Sequence, residues 1–90
     1  AGRSVLRISV QKALLGGRVQ VETPAGRFKV VIPPCTSSGT KMRLARKGQE
    51  GPGGLREDHE FEIQIQTPSE LDEESRALIA RFALLNPWGA

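Results

Sequence analysis

The chain has 90 residues, of which 38% are hydrophobic and 26% are charged, with one cysteine and a formal net charge of +3. This length suits one domain with a single core, and the composition is typical of folded rather than disordered proteins. No apolar run approaches the roughly 18 residues that a membrane span requires, so the sequence predicts no membrane-crossing segment. We expect a single domain over residues 1–90, and the lack of an initiator Met indicates a processed or excised piece.

Catalytic and metal-binding side chains are scarce, since Cys35 and His59 are the only cysteine and histidine. One cysteine forms no internal disulfide, which favours a reducing compartment and a cytoplasmic location. Cys35 and His59 together supply only two of the four ligands that a structural zinc site needs. The sequence also contains no glycine-rich phosphate-binding loop. A Cys/His catalytic pair is the weaker alternative, because neither residue has a surrounding signature. The sequence therefore predicts a domain that is not an enzyme and holds no cofactor or metal.

Charge is distributed unevenly along the chain. Residues 1–56 carry eleven Lys and Arg against Glu22 and Glu50, a balance of +9, whereas residues 57–90 have a balance of −6. Such asymmetry can attract a polyanion to one face, which makes nucleic-acid binding one hypothesis, or it can pair the two halves of the chain with each other on folding. It can also leave a solvated basic surface opposite a solvated acidic one, without a ligand. Three of the four aromatic side chains fall at predicted core positions, which argues against stacking on bases. The candidate phosphate contacts are Lys41, Arg43, Arg46, Lys47 and Arg56.

Apolar and polar residues alternate with period two in five segments, and this alternation predicts five strands. One helical turn, at residues 11–15, is predicted between the first two strands, ending at a glycine pair. Residues 45–58 contain four glycines and are predicted to form a mobile loop. The predicted strands are Leu6–Val10, Arg18–Glu22, Arg27–Ile32, Thr40–Leu44 and Glu60–Gln66.

The second and third strands are predicted to form a hairpin, because a proline and a glycine lie between them at turn positions. A four-residue loop that pairs Glu22 with Arg27 sets Val21 opposite Phe28 and keeps the apolar residues on one face. A three-residue loop would mix the two faces, so the four-residue loop is preferred.

The period changes to that of a helix after Thr67-Pro68, over about residues 73–85. Asp72 is the predicted N-cap, since two glutamates then occupy the first turn, and Asn86-Pro87 ends the helix. An isolated helix of this length is marginal in water, so its apolar stripe packs on its own sheet or on a second copy of the chain. Trp88, just after the helix, favours the second copy. The stripe comprises Leu78, Ile79, Phe82 and Leu85.

These elements predict a mostly β fold, a small two-sheet β-sandwich with one short helical turn and a C-terminal amphipathic helix. The predicted core comprises Leu6, Ile8, Val10, Val19, Val21, Phe28, Val30, Ile32, Met42, Leu44, Phe61, Ile63 and Ile65.

Motif order makes the chain similar to a known family. The chain contains, in this order, the segments ISVQKALLGGRVQVETPAGRFKVVIPP, SSGTKMRL and KG, and these are followed by the last predicted strand and by TPSEL. From about Ser4 to Leu85, the chain resembles the C-terminal substrate-binding region of J-domain co-chaperones of the DnaJ family. Members carry two such β-domains, and the helix after TPSEL resembles that of the second. The chain departs from the family pattern at Cys35, at REDHEFEI, which includes Glu57, and in the glycine-rich loop, so the turn conformations there stay open.

The resemblance implies a domain that binds unfolded client polypeptides, forms a homodimer and works with a DnaK-type chaperone. That chaperone would be engaged by a J-domain elsewhere in the full-length protein, since no His-Pro-Asp signature occurs here. In the family, the peptide groove lies in the first of the two β-domains, beside the strand after the short helix. By position that strand is Arg18–Thr23 here, although the same apolar side chains also suit core packing. The implied peptide-binding residues are Ile8, Val19, Val21, Thr23 and Phe28, and the implied dimerisation residues are Leu78, Ile79, Phe82, Leu85 and Trp88.

Overall fold

The computed structural model describes residues 3–89, and in this part of the chain five strands and two α-helices form. The mostly β fold in two small sheets, with a C-terminal helix, is therefore confirmed. The strands are β1 (Arg3–Ser9), β2 (Gly17–Thr23), β3 (Gly26–Ile32), β4 (Lys41–Leu44) and β5 (His59–Gln66). The helices are α1 (Val10–Leu15) and α2 (Glu73–Leu85), and a 3-10 turn spans Pro52–Gly54.

β5 is the central strand of a three-stranded sheet with the order β1-β5-β4. It runs parallel to β1, where Leu6 lies beside Ile63, and antiparallel to β4, where Met42 lies beside Phe61. Alternate residues of β5 are buried, because one face of the strand packs against the second sheet. The regular alternation of apolar and polar residues in β5 thus gives the strand one buried face and one solvated face.

The second sheet is the hairpin of β2 and β3, and it has the predicted register, with Val21 opposite Phe28. The pairing continues one step further than predicted, to Thr23 and Gly26, so the loop contains two residues instead of four. The Thr23 hydroxyl stabilises this tighter turn, since its Oγ1 donates to the Gly26 carbonyl oxygen at 2.9 Å and accepts from the Ala25 N–H at 3.1 Å.

Both sheets contribute side chains to one core. Its buried members are Ile8, Ala13, Val21, Val30, Ile32, Phe61 and Ile63, and the partly buried side chains packed on them are Leu6, Val19, Met42, Leu44 and Ile65. Of the thirteen residues predicted for the sandwich core, all except two are in this cluster.

The two exceptions are Val10 and Phe28, and the structure shows a separate reason why each lies outside the core cluster. Ser9 caps a helix, since its hydroxyl accepts a hydrogen bond from the Lys12 N–H at 3.1 Å, so Val10 begins α1 instead of ending β1. Ala13 of α1 is buried in the core. Phe28 is half-buried on β3, and its ring is covered by a lysine of the 45–58 loop.

The 45–58 loop, for which the sequence predicts mobility, is folded back on itself by backbone hydrogen bonds. The Gly48 N–H donates to the Glu57 carbonyl oxygen at 2.7 Å, and the Glu57 N–H donates to the Gln49 carbonyl oxygen at 2.9 Å. A Cβ at Gly48 would lie only 2.6 Å from the Asp58 carbonyl oxygen. At Gly48, therefore, glycine permits the close approach of two backbone segments.

α2 begins and ends as predicted, at Glu73 and Leu85, with Asp72 as its N-cap. Its apolar residues do not pack on the sandwich, because every residue of the helix except Ser75 is exposed. The molecule is elongated, with extents of 56 × 23 × 19 Å. Of the two predicted arrangements of the stripe, packing on its own sheet is therefore not observed.

Candidate functional site

The outer edge of β2 presents unpaired backbone groups. A two-residue turn joins β2 to β3, so Thr23 and Gly26 form the hydrogen-bonded closing pair of the hairpin. Bonded and non-bonded pairs alternate along an antiparallel ladder, so every second residue of β2 directs its N–H and C=O away from β3. No strand among residues 3–89 pairs with this edge, and an extended peptide could therefore add to it. The outward residues are Arg18, Gln20 and Glu22, whose side chains are exposed.

The five candidate peptide-binding residues are placed at different depths. Val21 and Ile8 belong to the core, with 4% and 5% of their surfaces exposed, so neither side chain offers an open apolar pocket. Ile8 lies at the floor of a separate depression of about 310 Å³ beside the end of β5. Val19, Thr23 and Phe28 are half-buried and therefore reachable in part. The part of this site that a peptide can reach therefore consists mainly of the backbone groups of β2.

Phe28 is covered from outside by the 45–58 loop. The Nζ atom of Lys47 lies 4.5 Å from the centroid of the Phe28 ring, in cation–π geometry. Arg56 supports the same loop, because its guanidinium donates to the Gly48 carbonyl oxygen at 3.0 Å. A peptide that contacts the Phe28 ring would therefore also meet the Lys47 ammonium group.

The five candidate dimerisation residues lie at the C-terminal end of the chain, and all are exposed. Leu78, Phe82 and Leu85 recur at helical spacing and share one face of α2 with Ile79. Phe82, predicted at a core position, is 46% exposed, and Trp88 is 94% exposed. A continuous apolar face of this kind on a thirteen-residue helix is typical of an interaction surface.

The ends of α2 are well capped. The Asp72 carboxylate accepts a hydrogen bond from the Ser75 backbone N–H at 2.6 Å, and this bond lowers the pKa of Asp72 below its usual value. At the other end, the Asn86 amide donates to the Phe82 carbonyl oxygen at 2.9 Å. Neither helix in residues 3–89 is long and apolar enough to span a membrane.

Cys35 and His59 do not form a catalytic pair, because each has a different partner. The Nε2 atom of His59 lies 2.9 Å from the Ser4 hydroxyl, and its ring stacks on Phe61. The Cys35 thiol faces the Leu14 carbonyl oxygen at 4.0 Å. Within the described residues, no group of three His, Cys, Asp or Glu side chains is placed to hold a metal ion.

Three of the five candidate phosphate-binding cations already have protein partners. Arg43 lies 3.5 Å from an Asp58 carboxylate oxygen, and Arg56 lies 4.0 Å from a Glu50 carboxylate oxygen. Lys47 covers Phe28, as described above. The acidic residues are thus interleaved with the basic cluster, which reduces the attraction for a polyanion.

The sequence interpretation missed the buried position of His59. The residue lies two positions before Phe61, so it continues the inward face of β5 by one step. Extending the alternation of Phe61 and Ile63 backwards would have indicated this position.

The sandwich matches one family model along most of the chain. The model is that of the DnaJ C terminal domain, and it matches residues 4–68, from β1 to the residues after β5. The chain belongs to this family. The match to the DnaJ C-terminal domain ends before α2, so the helix is a feature outside the family model.

Several chaperone proteins are also similar in sequence to this DnaJ C-terminal domain. It is 41% identical over 80 residues to Chaperone protein DnaJ of Synechococcus elongatus, covering 89% of this chain and 28% of the relative. It is 38% identical over 80 residues to Chaperone protein DnaJ 2 of Thermus thermophilus, again covering 89% and 28%. With Chaperone protein DnaJ 1 of Synechocystis it shares 34% identity over 85 residues, covering 92% and 22%. The chain thus spans about a quarter of the length of these relatives.

Proposed function

We propose that this domain binds extended segments of non-native polypeptide as an added strand on the outer edge of β2, without performing chemistry on them. The observation that carries the proposal is the row of outward N–H and C=O groups on Arg18, Gln20 and Glu22. Backbone groups are the same in every polypeptide, so pairing with this edge suits many client sequences. The names of the relatives, which are chaperone proteins, support the same role.

The affinity of this edge for a single segment is expected to be micromolar or weaker. A peptide of about six residues loses its conformational freedom when it pairs with the strand. Val21 adds little apolar contact because its side chain is buried, and Val19 offers only a half-buried surface. Weak binding allows a client segment to be released without an enzymatic step.

Proline substitution tests the edge directly, because proline removes a backbone donor. Gln20→Pro removes an outward N–H from β2, whereas Lys29→Pro makes the matched change on β3, since these residues are cross-strand partners. We expect Gln20→Pro to weaken the binding of a fluorescently labelled neutral apolar peptide at least tenfold, and Lys29→Pro to leave it nearly unchanged. Fluorescence anisotropy measures binding, and circular dichroism checks that both variants fold. Val21→Asp is less useful, because it places a carboxylate in the core.

A folded Gln20→Pro variant that binds the neutral peptide as well as the wild type would contradict the proposed edge. Equal losses in the two proline variants would point to general damage of the hairpin.

We also propose that the stripe on α2 pairs with the α2 of a second copy, forming a homodimer. Phe82→Asp is expected to shift sedimentation toward the monomer while the β-sheet signal survives, because the helix does not pack on the sandwich. Leu84→Asp is a matched control, since Leu84 is 81% exposed and lies roughly 200° around the helix axis from Phe82. Wild-type chain that sediments as a monomer at every concentration would disprove the dimer.

We infer a further partner, a DnaK-type chaperone, which a J-domain elsewhere in the full-length protein would engage. Nucleic-acid binding stays the alternative function, supported by the positive balance of residues 1–56. The two functions differ in salt dependence, because phosphate contacts weaken steeply with added salt and backbone pairing does not. Titration of the neutral peptide and of a DNA duplex at two salt concentrations would separate them.

A further inference from the structure

A second groove separates the outer edges of β3 and β4 and has a volume of about 260 Å³. Its charged lining consists of cations only, because no carboxylate of the described residues lines it. Two strand edges of different sheets therefore face each other across a groove lined by Lys29 and Arg43, and Arg43 also lies 3.5 Å from an Asp58 carboxylate oxygen, which leaves Lys29 as the lining cation with no ion pair to the described residues. Lys29 and Val31 lie on one side, Met42, Arg43 and Leu44 lie on the other, and Phe61 forms the floor.

The backbone of β4 directs hydrogen-bonding groups into this groove. The Ile63 N–H donates to the Thr40 carbonyl oxygen at 2.8 Å, and the Ile63 carbonyl oxygen accepts from the Gly39 N–H at 2.7 Å, so Ile63 directs both of its backbone groups toward the β4 side. By alternation, Met42 also bonds to β5, whereas Lys41 and Arg43 direct their N–H and C=O away from it. The outer edge of β4 is thus open for a further strand.

β5 shows which sequence pattern pairs well with β4. On the inner edge of β4, Arg43 lies opposite Glu60, Met42 opposite Phe61, and Lys41 opposite a second glutamate. Cations on the solvated face meet carboxylates, and apolar residues on the inner face meet apolar residues. A strand on the outer edge meets the same side chains of β4, so the same pattern suits it.

We propose that the β3–β4 groove binds extended acidic peptides in which carboxylates alternate with apolar residues, by adding them as a strand to β4. The carboxylates lie on the solvated face beside Lys41, with Lys29 on the opposite wall of the groove, while Arg43 is shared with Asp58. The apolar residues point toward the groove floor at Phe61. This surface differs from the β2 edge in both position and charge requirement, so the domain has two peptide sites of different selectivity.

Binding of a labelled Glu-Val-Glu-Val-Glu-Val peptide to the 90-residue chain tests this proposal, with Lys-Val-Lys-Val-Lys-Val as the reference probe. We expect the acidic peptide to bind more tightly and to lose affinity as salt is added. Lys29→Glu is expected to weaken it about two- to fivefold, the size of effect that an exposed charge contact supports. Arg7→Glu, an equal charge change at an exposed position of β1 that belongs to neither proposed edge, should leave the affinity nearly unchanged.

Backbone pairing is tested separately at Lys41, the first residue of β4, where proline is tolerated. Lys41→Pro and Lys41→Ala both remove the charge, but only proline also removes the outward N–H. We expect the proline variant to bind the acidic peptide more weakly than the alanine variant, with circular dichroism confirming that both fold.

Three results would overturn the proposal. Equal affinity for the acidic and basic probes would mean that the groove does not select carboxylates, and that Lys29 and Lys41 only protect exposed strand edges against aggregation. Equal effects of Lys29→Glu and Arg7→Glu would remove the local charge requirement. Loss of acidic-peptide binding in Gln20→Pro, with retention in Lys41→Pro, would place the peptide on the β2 edge. Gln20→Pro with the neutral probe tests the β2 edge, and Lys41→Pro with the acidic probe tests the β4 edge, so failure at either edge can be recognised independently.

Discussion

Phe61→Ala is expected to lower the free energy of unfolding by about 3–5 kcal/mol. Phe61 is 2% exposed on the central strand, and its ring stacks on His59 with the ring centroids 6.2 Å apart. β5 is held by hydrogen bonds on both edges, so the strand cannot move to fill the cavity that alanine leaves. The change also removes an aromatic contact worth about 0.5–1.5 kcal/mol. Domains of this size have about 5–15 kcal/mol in total, so the loss is a large share.

Urea unfolding followed by the β-sheet signal in circular dichroism measures this loss. Phe61→Leu is a graded variant that we expect to cost about 1 kcal/mol, which lowers the urea midpoint by roughly 1 M. Phe82→Ala makes the same chemical change on exposed α2 and should cost less than about 0.5 kcal/mol at a concentration where the chain is monomeric. Similar losses at Phe61 and Phe82 would refute the reasoning, because burial in the sandwich would then not decide the effect.

Two further predictions concern the turn after α1 and the start of α2. Gly16→Ala should lower the thermal unfolding temperature more than Gly39→Ala, because both glycines have positive φ but only a Cβ at Gly16 would meet the Ile32 carbonyl oxygen, at 2.7 Å. Equal losses would mean that the backbone conformation alone sets the cost. The helix signal should decrease at acid pH, since the hydrogen bond from Ser75 lowers the pKa of Asp72 in the folded chain. That stabilisation is complete above the ordinary aspartate pKa of about 4 and is lost as the pH falls below it, so Asp72→Asn should reduce the pH dependence while keeping the cap.

The hairpin and α2 could be predicted because their determinants are local in sequence. Matching the apolar faces of two adjacent strands leaves one good register, which places Val21 opposite Phe28. The start of α2 follows from the capping side chain of Asp72, and its end follows from Asn86-Pro87. Nothing outside these segments is needed to locate them.

The depth of each side chain could not be predicted in the same way. Val19 and Val21 lie on the same face of β2, yet Val21 is fully buried and Val19 is half-buried. Depth depends on which part of the other sheet covers a residue, and alternation carries no information about that. The outward backbone groups of Gln20, by contrast, follow from the register, so the accessible part of the candidate site was predictable as an edge but not as a pocket.

The parallel pairing of β1 with β5 has a consequence for how the domain forms during synthesis. Arg3 pairs with Glu60, and every later pair keeps this separation, whereas the β2–β3 hairpin closes over two residues. Closing the longer loop costs more chain entropy, so the hairpin can form within microseconds and β1 docks late. Translation adds about 5–20 residues per second, so β5 is synthesised roughly 3–11 seconds after β1. During that interval Leu6 and Ile8 are uncovered, and the nascent domain presents the same kind of extended apolar segment that its open edges are proposed to bind.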